Sequence, residues 1–170
     1  MASKKPADST KDRMVVESGK FTSKETAVNF GEWVQQNSAE LRDKTKFEFR
    51  NFQDTFWIFS VQDVSQTKFA QVEEWSIINC QLNDSLEIFV NDWKKLTKLD
   101  LSNNKLTKIP KLSNQANLTE LRLAYNQITW EALQREVKVT PGVENEAKML
   151  NKLLVLDLSN NAIDFKDGNE

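Results

Sequence analysis

The sequence contains no histidine. That removes the imidazole from every Ser–His, Cys–His or His–metal arrangement, and with it the residue most often used as a general base. There is a single cysteine, Cys80, so the chain can form no internal disulfide and assemble no zinc cluster of its own. With four glycines in all, no Gly-rich phosphate loop is present. No apolar run approaches the ~20 residues that a spanning helix needs, so membrane insertion is not expected. Neither sign of charge dominates: 23 Lys and Arg face 25 Asp and Glu, for a net charge of -2. That balance supplies no bulk attraction to nucleic acid or an acidic membrane. The opening "MASKKPADSTKDR" lacks the apolar segment of a secretory signal. Together with the lone cysteine, it leads to the expectation of a reducing, intracellular and cytoplasmic setting, with a cytoskeletal or organellar assembly left open.

What is present is a repeat. Residues 96–106, "LTKLDLSNNKL", place Leu96, Leu99, Leu101, Asn104 and Leu106 at fixed offsets. Residues 118–128 repeat them as Leu118, Leu121, Leu123, Asn126 and Ile128, and residues 153–163 as Leu153, Leu156, Leu158, Asn161 and Ile163. Residues 72–82 give Val72, Trp75, Ile77, Cys80 and Leu82, with cysteine at the asparagine position. The steps between copies are 24, 22 and 35 residues. With these motifs the chain resembles the leucine-rich-repeat superfamily over about residues 45–165, including short repeats of the kind seen in phosphatase regulatory subunits.

The resemblance implies an α/β solenoid: parallel strands on a concave side, mixed helices and turns on the convex side, and a helical cap at the N-terminal end. In such a repeat Leu99 and Leu101 alternate along a short strand and both point inward, while Asn104 satisfies backbone groups where the chain bends out of the strand. Asn126 and Asn161 should stack on it as a ladder, and Cys80 should bury as a small hydrophobe.

Between the copies, Asp84 to Trp93 predicts a short convex helix. Pro110 and the 22-residue step predict an extended or 3₁₀ connection over 107–117. Within an insertion at about 129–151, Thr129 predicts a capped helix to about Arg135, and a second helix is predicted over about 144–151. Upstream, Phe47, Phe49 and Phe52 mark a degenerate first repeat, and residues 54–69 another convex helix. Thr22 and Glu25 form a capping box for an amphipathic helix over 21–44, read as the cap. Residues 1–20 and 167–170 are read as tails.

The outward residues of the repeats fall into columns. One runs Glu74, Lys98, Glu120, Val155; the next runs Ser76, Asp100, Arg122, Asp157. A third runs Ile78, Ser102, Ala124, Ser159, and a fourth Asn79, Asn103, Tyr125, Asn160. Acids and bases alternate, which predicts a self-neutralising ladder rather than catalytic carboxylates, since a basic neighbour keeps a carboxylate ionised. No enzymatic activity, cofactor, metal or small-molecule substrate is expected. The expected partner is another protein, bound over Lys98, Asp100, Arg122, Tyr125 and Asp157, and at an open C-terminal end around Leu158, Ile163 and Phe165. Two alternatives stand beside this reading. One is a structural subunit of a cytoskeletal, ciliary or organellar complex. The other is an RNA-linked adaptor using the lysines of residues 94–111, although nucleic acid is disfavoured because the remaining charge cancels.

Overall fold

The structure is a computed structural model. It describes residues 12–17, 37–41, 44–52, 71–84, 93–112, 115–137 and 152–164. Among these residues six strands form one sheet: β1 (Arg13–Glu17), β2 (Lys46–Arg50), β3 (Glu74–Ile78), β4 (Lys98–Asp100), β5 (Glu120–Arg122) and β6 (Val155–Asp157). They lie side by side in sequence order, and every neighbouring pair is parallel. Two helices are described, α1 (Ser38–Leu41) and α2 (Trp130–Val137).

A constant register makes this stack. Lys46, Glu74, Lys98, Glu120 and Val155 succeed one another across the sheet, as do Phe47, Trp75, Leu99, Leu121 and Leu156. Because side chains alternate along a strand, the second series and the next inward one (Phe49, Ile77, Leu101, Leu123) share one face and form the core. The core changes character along the stack. At its N-terminal side Trp75 packs against Phe47, Phe49 and Trp93, with ring centroids 5.4, 5.2 and 4.3 Å apart. Further on it is built of leucine and isoleucine, closed on the convex side by Leu106, Ile109, Leu112 and Leu118. Each such fully buried side chain contributes about 1.5–3 kcal/mol relative to exposure.

The asparagine ladder holds the turns that leave the strands. Asn104 Nδ2 donates to the carbonyls of Ile77, Leu101 and Ser102 at 2.7, 2.9 and 3.1 Å, while its Oδ1 accepts from the backbone N–H of Cys80 and Leu82 at 3.0 and 3.1 Å. Asn126 and Asn161 repeat the arrangement one and two repeats later, accepting from the N–H of Leu106 and Ile128 at 3.0 and 2.9 Å. At the variant position Cys80 is fully buried, and its thiol donates to the carbonyl of Ile78 at 3.2 Å. Burial pushes the thiol up to about 11, partly offset by backbone hydrogen bonds from its surroundings.

Two expectations are corrected. Residues 1–20 are not a tail throughout: Arg13–Glu17 form β1, because Met14 and Val16 alternate inward opposite Phe47 and Phe49. The helix expected to cap the stack ahead of the first repeat is described only at Ser38–Leu41, and these residues fall between β1 and β2 in the chain rather than before the first strand. Leu41 enters the core there, as a convex-side element does. The remainder of that helix, the convex helices expected over 54–69 and 84–93 apart from Asp84 and Trp93, and the second insertion helix lie outside the described residues.

Two expectations hold, the capped helix after Thr129 and the non-helical connection after Leu106. Thr129 caps α2, its hydroxyl oxygen accepting the N–H of Ala132 at 3.2 Å. Over 107–117 the described residues contain turns and extended chain but no helix. No described helix is long and apolar enough to cross a membrane.

The two ends of the stack differ. In the edge strand β1 the inward Val16 is 2% exposed, so the core is closed there. In the edge strand β6 the inward Leu156 is 42% exposed, so the core is open there.

Candidate functional site

The outward face of the sheet is an ion-pair ladder longer than the one read from the repeats. Lys98 Nζ lies 3.8 Å from Glu74 and 3.7 Å from Glu120, and Lys46 Nζ lies 3.6 Å from Glu74 and 3.3 Å from Asp12. The hydrogen bond to Asp12, with Glu74 beside it, raises the Lys46 pKa. Exposed pairs of this kind contribute about 0–1 kcal/mol each. The ladder orders the face and cancels its charge.

Asp100, Arg122 and Asp157 stand in register on β4, β5 and β6. Arg122 turns its Nε to Glu120 of its own strand, 2.7 Å away, rather than to a column neighbour. That bond, with Asp100 and Asp157 on either side, raises the guanidinium pKa further. Asp157 accepts from the hydroxyl and N–H of Ser159 at 2.7 and 3.0 Å, and these bonds hold its carboxyl below the usual range. Asp157 is thereby held in its charged form, the state opposite to that of a general acid. Among the described residues no group of three or more His, Cys, Asp or Glu side chains is placed to hold a metal ion.

Glu48 of β2 was not anticipated as a site residue. It points out from the sheet yet is buried, with the guanidinium groups of Arg13 and Arg50 both against its carboxylate. Its signal lay in the phenylalanines: once Phe47 and Phe49 face inward, Lys46, Glu48 and Arg50 must face outward.

Tyr125 stands where the strand gives way to the turn, 57% exposed. Its backbone is left-handed, with φ 55°. So are Asn51, Asn79, Asn103 and Asn160, the corresponding residues of the other repeats, at φ 63°, 55°, 58° and 56°. Each of the first four donates its N–H to the following repeat, Asn51 to Ile78, Asn79 to Ser102, Asn103 to Ala124 and Tyr125 to Ser159. The turn therefore demands this conformation in each of these five repeats. Asparagine enters it readily, whereas a tyrosine there bears a cost of about 1–2 kcal/mol. Beside Tyr125 lies a shallow polar groove lined by Asn79, Gln81, Asn103, Lys105 and Gln127. The sequence columns placed Tyr125 beside small residues but gave no reason for the asparagines around it.

Lys98, Asp100, Arg122 and Asp157 are thus brought onto one face of three adjacent strands, with Tyr125 beyond their C-terminal ends. Phe165 lies outside the described residues. The lysines of residues 94–111 do not share one face: Lys94 and Lys95 precede β4, Lys98 belongs to the ion-pair ladder, and Lys105, Lys108 and Lys111 follow the strand.

Residues 94–135 match the family model described as leucine-rich repeats in two copies. No curated protein matches the sequence. Among solved structures the chain is similar to InlP of Listeria monocytogenes, with 23% identity over 71% of this chain and 29% of that one, and a TM-score of 0.44. It is also similar to an internalin, InlF, of Listeria monocytogenes str. 4b F2365, with 21% identity over 75% of this chain and 38% of that one, and a TM-score of 0.49. The chain thus spans less than two-fifths of the length of either. The matched residues carry β4, β5 and two rungs of the asparagine ladder, and the strands on both sides keep their register. Residues 94–135 thus carry leucine-rich repeats, and the described strands on both sides continue the same solenoid fold.

Proposed function

We propose that the chain is a non-enzymatic protein-interaction module, an adaptor or subunit of a larger intracellular assembly. Leucine-rich repeats present extended curved surfaces and are generally used to bind other proteins. The observation that carries the reading is Tyr125. It is an exposed aromatic residue in a backbone conformation that suits asparagine, at a position where four other repeats have asparagine. A strained residue kept against an easy alternative points to use at the surface rather than to folding. The partner lies over Tyr125 and Arg122 and extends along Asp100 and Lys98, where a charge-balanced face gives orientation rather than bulk attraction. A second contact covers the open core end at β6, including the surface expected around Phe165.

Affinity capture from the native source with crosslinking mass spectrometry tests this. Crosslinks from a protein partner should fall on Lys98 and Lys105, and the doubly substituted Tyr125→Ala, Arg122→Ala chain should lose that partner while its melt stays nearly unchanged. Retention of the partner by the double variant would move the site off this face.

A further inference from the structure

The open end of the stack carries more apolar surface than an unfinished core requires. The residue entering each strand is Asp12, Thr45, Glu73, Thr97 and Thr119 in the first five, and its carbonyl accepts from the next repeat. At β6 this residue is Leu154, 84% exposed. The first outward residue of each strand is Arg13, Lys46, Glu74, Lys98 and Glu120, and at β6 it is Val155, 39% exposed. Two columns that are polar in five repeats become apolar in the sixth, beside the exposed inward Leu156. A further repeat stacked on this end would require only the inward column to be apolar. What covers it must therefore match Leu154, Val155 and Leu156 together.

The backbone sets the register of that contact. Val155 donates its N–H to Thr119, and the carbonyl of Asp157 accepts from Leu123, so both residues direct their backbone groups toward β5. In a parallel ladder alternate residues bond to opposite sides, so the N–H and C=O of Leu156 and the C=O of Leu154 face the open edge. Among the described residues no strand pairs with β6 there.

We propose that the occupant is a second copy of this chain, its β6 antiparallel to the first across a two-fold axis at Val155. The inference rests on the reading in which another chain covers this end, and it names that chain. Leu-Val-Leu is palindromic about Val155. In this register Leu156 N–H donates to Leu154 C=O of the copy, twice by symmetry, and Val155 meets its own counterpart in the closer, non-hydrogen-bonded pairing. Leu154 lies against Leu156 of the copy. Shifting the axis by one residue to Leu156 would set Val155 against Asp157 instead. An isologous contact closes at two copies, which removes the exposed strand edge without starting a filament.

The test is a site-directed crosslink on the full chain, read with sedimentation equilibrium. On the axis the two Val155 Cα atoms stand about 4.5 Å apart, within the range a disulfide accepts. The two Asp157 Cα atoms stand four residues out of register, about 14 Å apart, which is too far. The native Cys80 is buried and does not compete. The wild-type chain should show a monomer–dimer equilibrium. Val155→Cys should give a covalent dimer on mild oxidation, and Asp157→Cys should not. Leu154→Glu should weaken dimerisation at least about tenfold with an unchanged melt, since the exposed side chain supports no fold of the monomer. A chain that stays monomeric at every concentration overturns the proposal. So does a dimer that crosslinks equally through both cysteines. A monomer whose partner still depends on Tyr125 would sink the second copy and leave the concave-face reading standing.

Discussion

Leu121 and Leu156 stand directly opposite each other in the parallel register of β5 and β6, yet Leu121 is fully buried and Leu156 is 42% exposed. The same residue type in the same column thus holds two different amounts of stability. Leu121→Ala leaves a cavity and should cost about 2–5 kcal/mol, whereas Leu156→Ala in the monomer should cost about 1 kcal/mol or less. Urea melts at a concentration where the chain is monomeric measure both. Equal losses would mean that the end is closed.

Asn104 satisfies five backbone groups of two repeats at once. Asn104→Ala should cost about 1–3 kcal/mol, because it leaves buried carbonyl and N–H groups of two repeats without their partner. A denaturant midpoint unchanged from wild type would contradict the ladder.

Tyr125→Asn restores the residue type of the other left-handed positions. It should raise stability by about 1 kcal/mol while weakening the partner contact. Thermal melts and a binding titration with the captured partner check the two halves. A variant that is less stable than wild type would show that Tyr125 is there for packing.

The repeats were legible where side chain and backbone ask for the same residue. Leu99, Leu101 and Asn104 each have one role that few other residues fill, so their spacing alone gave strands, interior and bend. β1 was not legible because Met14 and Val16 are only two alternating apolar residues with no asparagine after them, and what makes them a strand is Phe47 and Phe49 a long way along the chain. Glu48 was hidden for the same reason, since its arginines come from β1 and β2 together. The left-handed turns were visible as asparagines but not as a backbone requirement, because φ is a property of the turn and not of the residue. The open end was expected around Leu158, Ile163 and Phe165, but the exposed Leu154 beside Val155, apolar in columns that are polar in the earlier repeats, was no part of that expectation.

Cys80 titrates with a defined sign. Its folded pKa, about 11, lies above the ordinary value of 9.0. The folded state therefore holds its proton after the unfolded state has released it. The stabilisation is fully present below pH 9 and is lost as the pH rises through 11, by an amount on the order of 2 kcal/mol. The comparison is with Cys80→Ala, which cancels every contribution but that of the thiol. The difference in stability between the two proteins should narrow between pH 9 and 11, and a constant difference would mean that the thiol is not desolvated. The folded protein should also resist thiol alkylation at pH 8.

Hydrogen exchange read residue by residue is the most direct measurement of a stack closed at its first strand and open at its last. In dilute monomer, the amides of Leu99, Leu101, Leu121 and Leu123 should exchange slowly. Those of Leu156 and Leu158 should exchange fast and become protected when the end is covered, either in the dimer or in the native complex. Protection of Leu156 and Leu158 equal to that of Leu121 and Leu123 in the dilute monomer would show that the chain seals itself and would contradict the account.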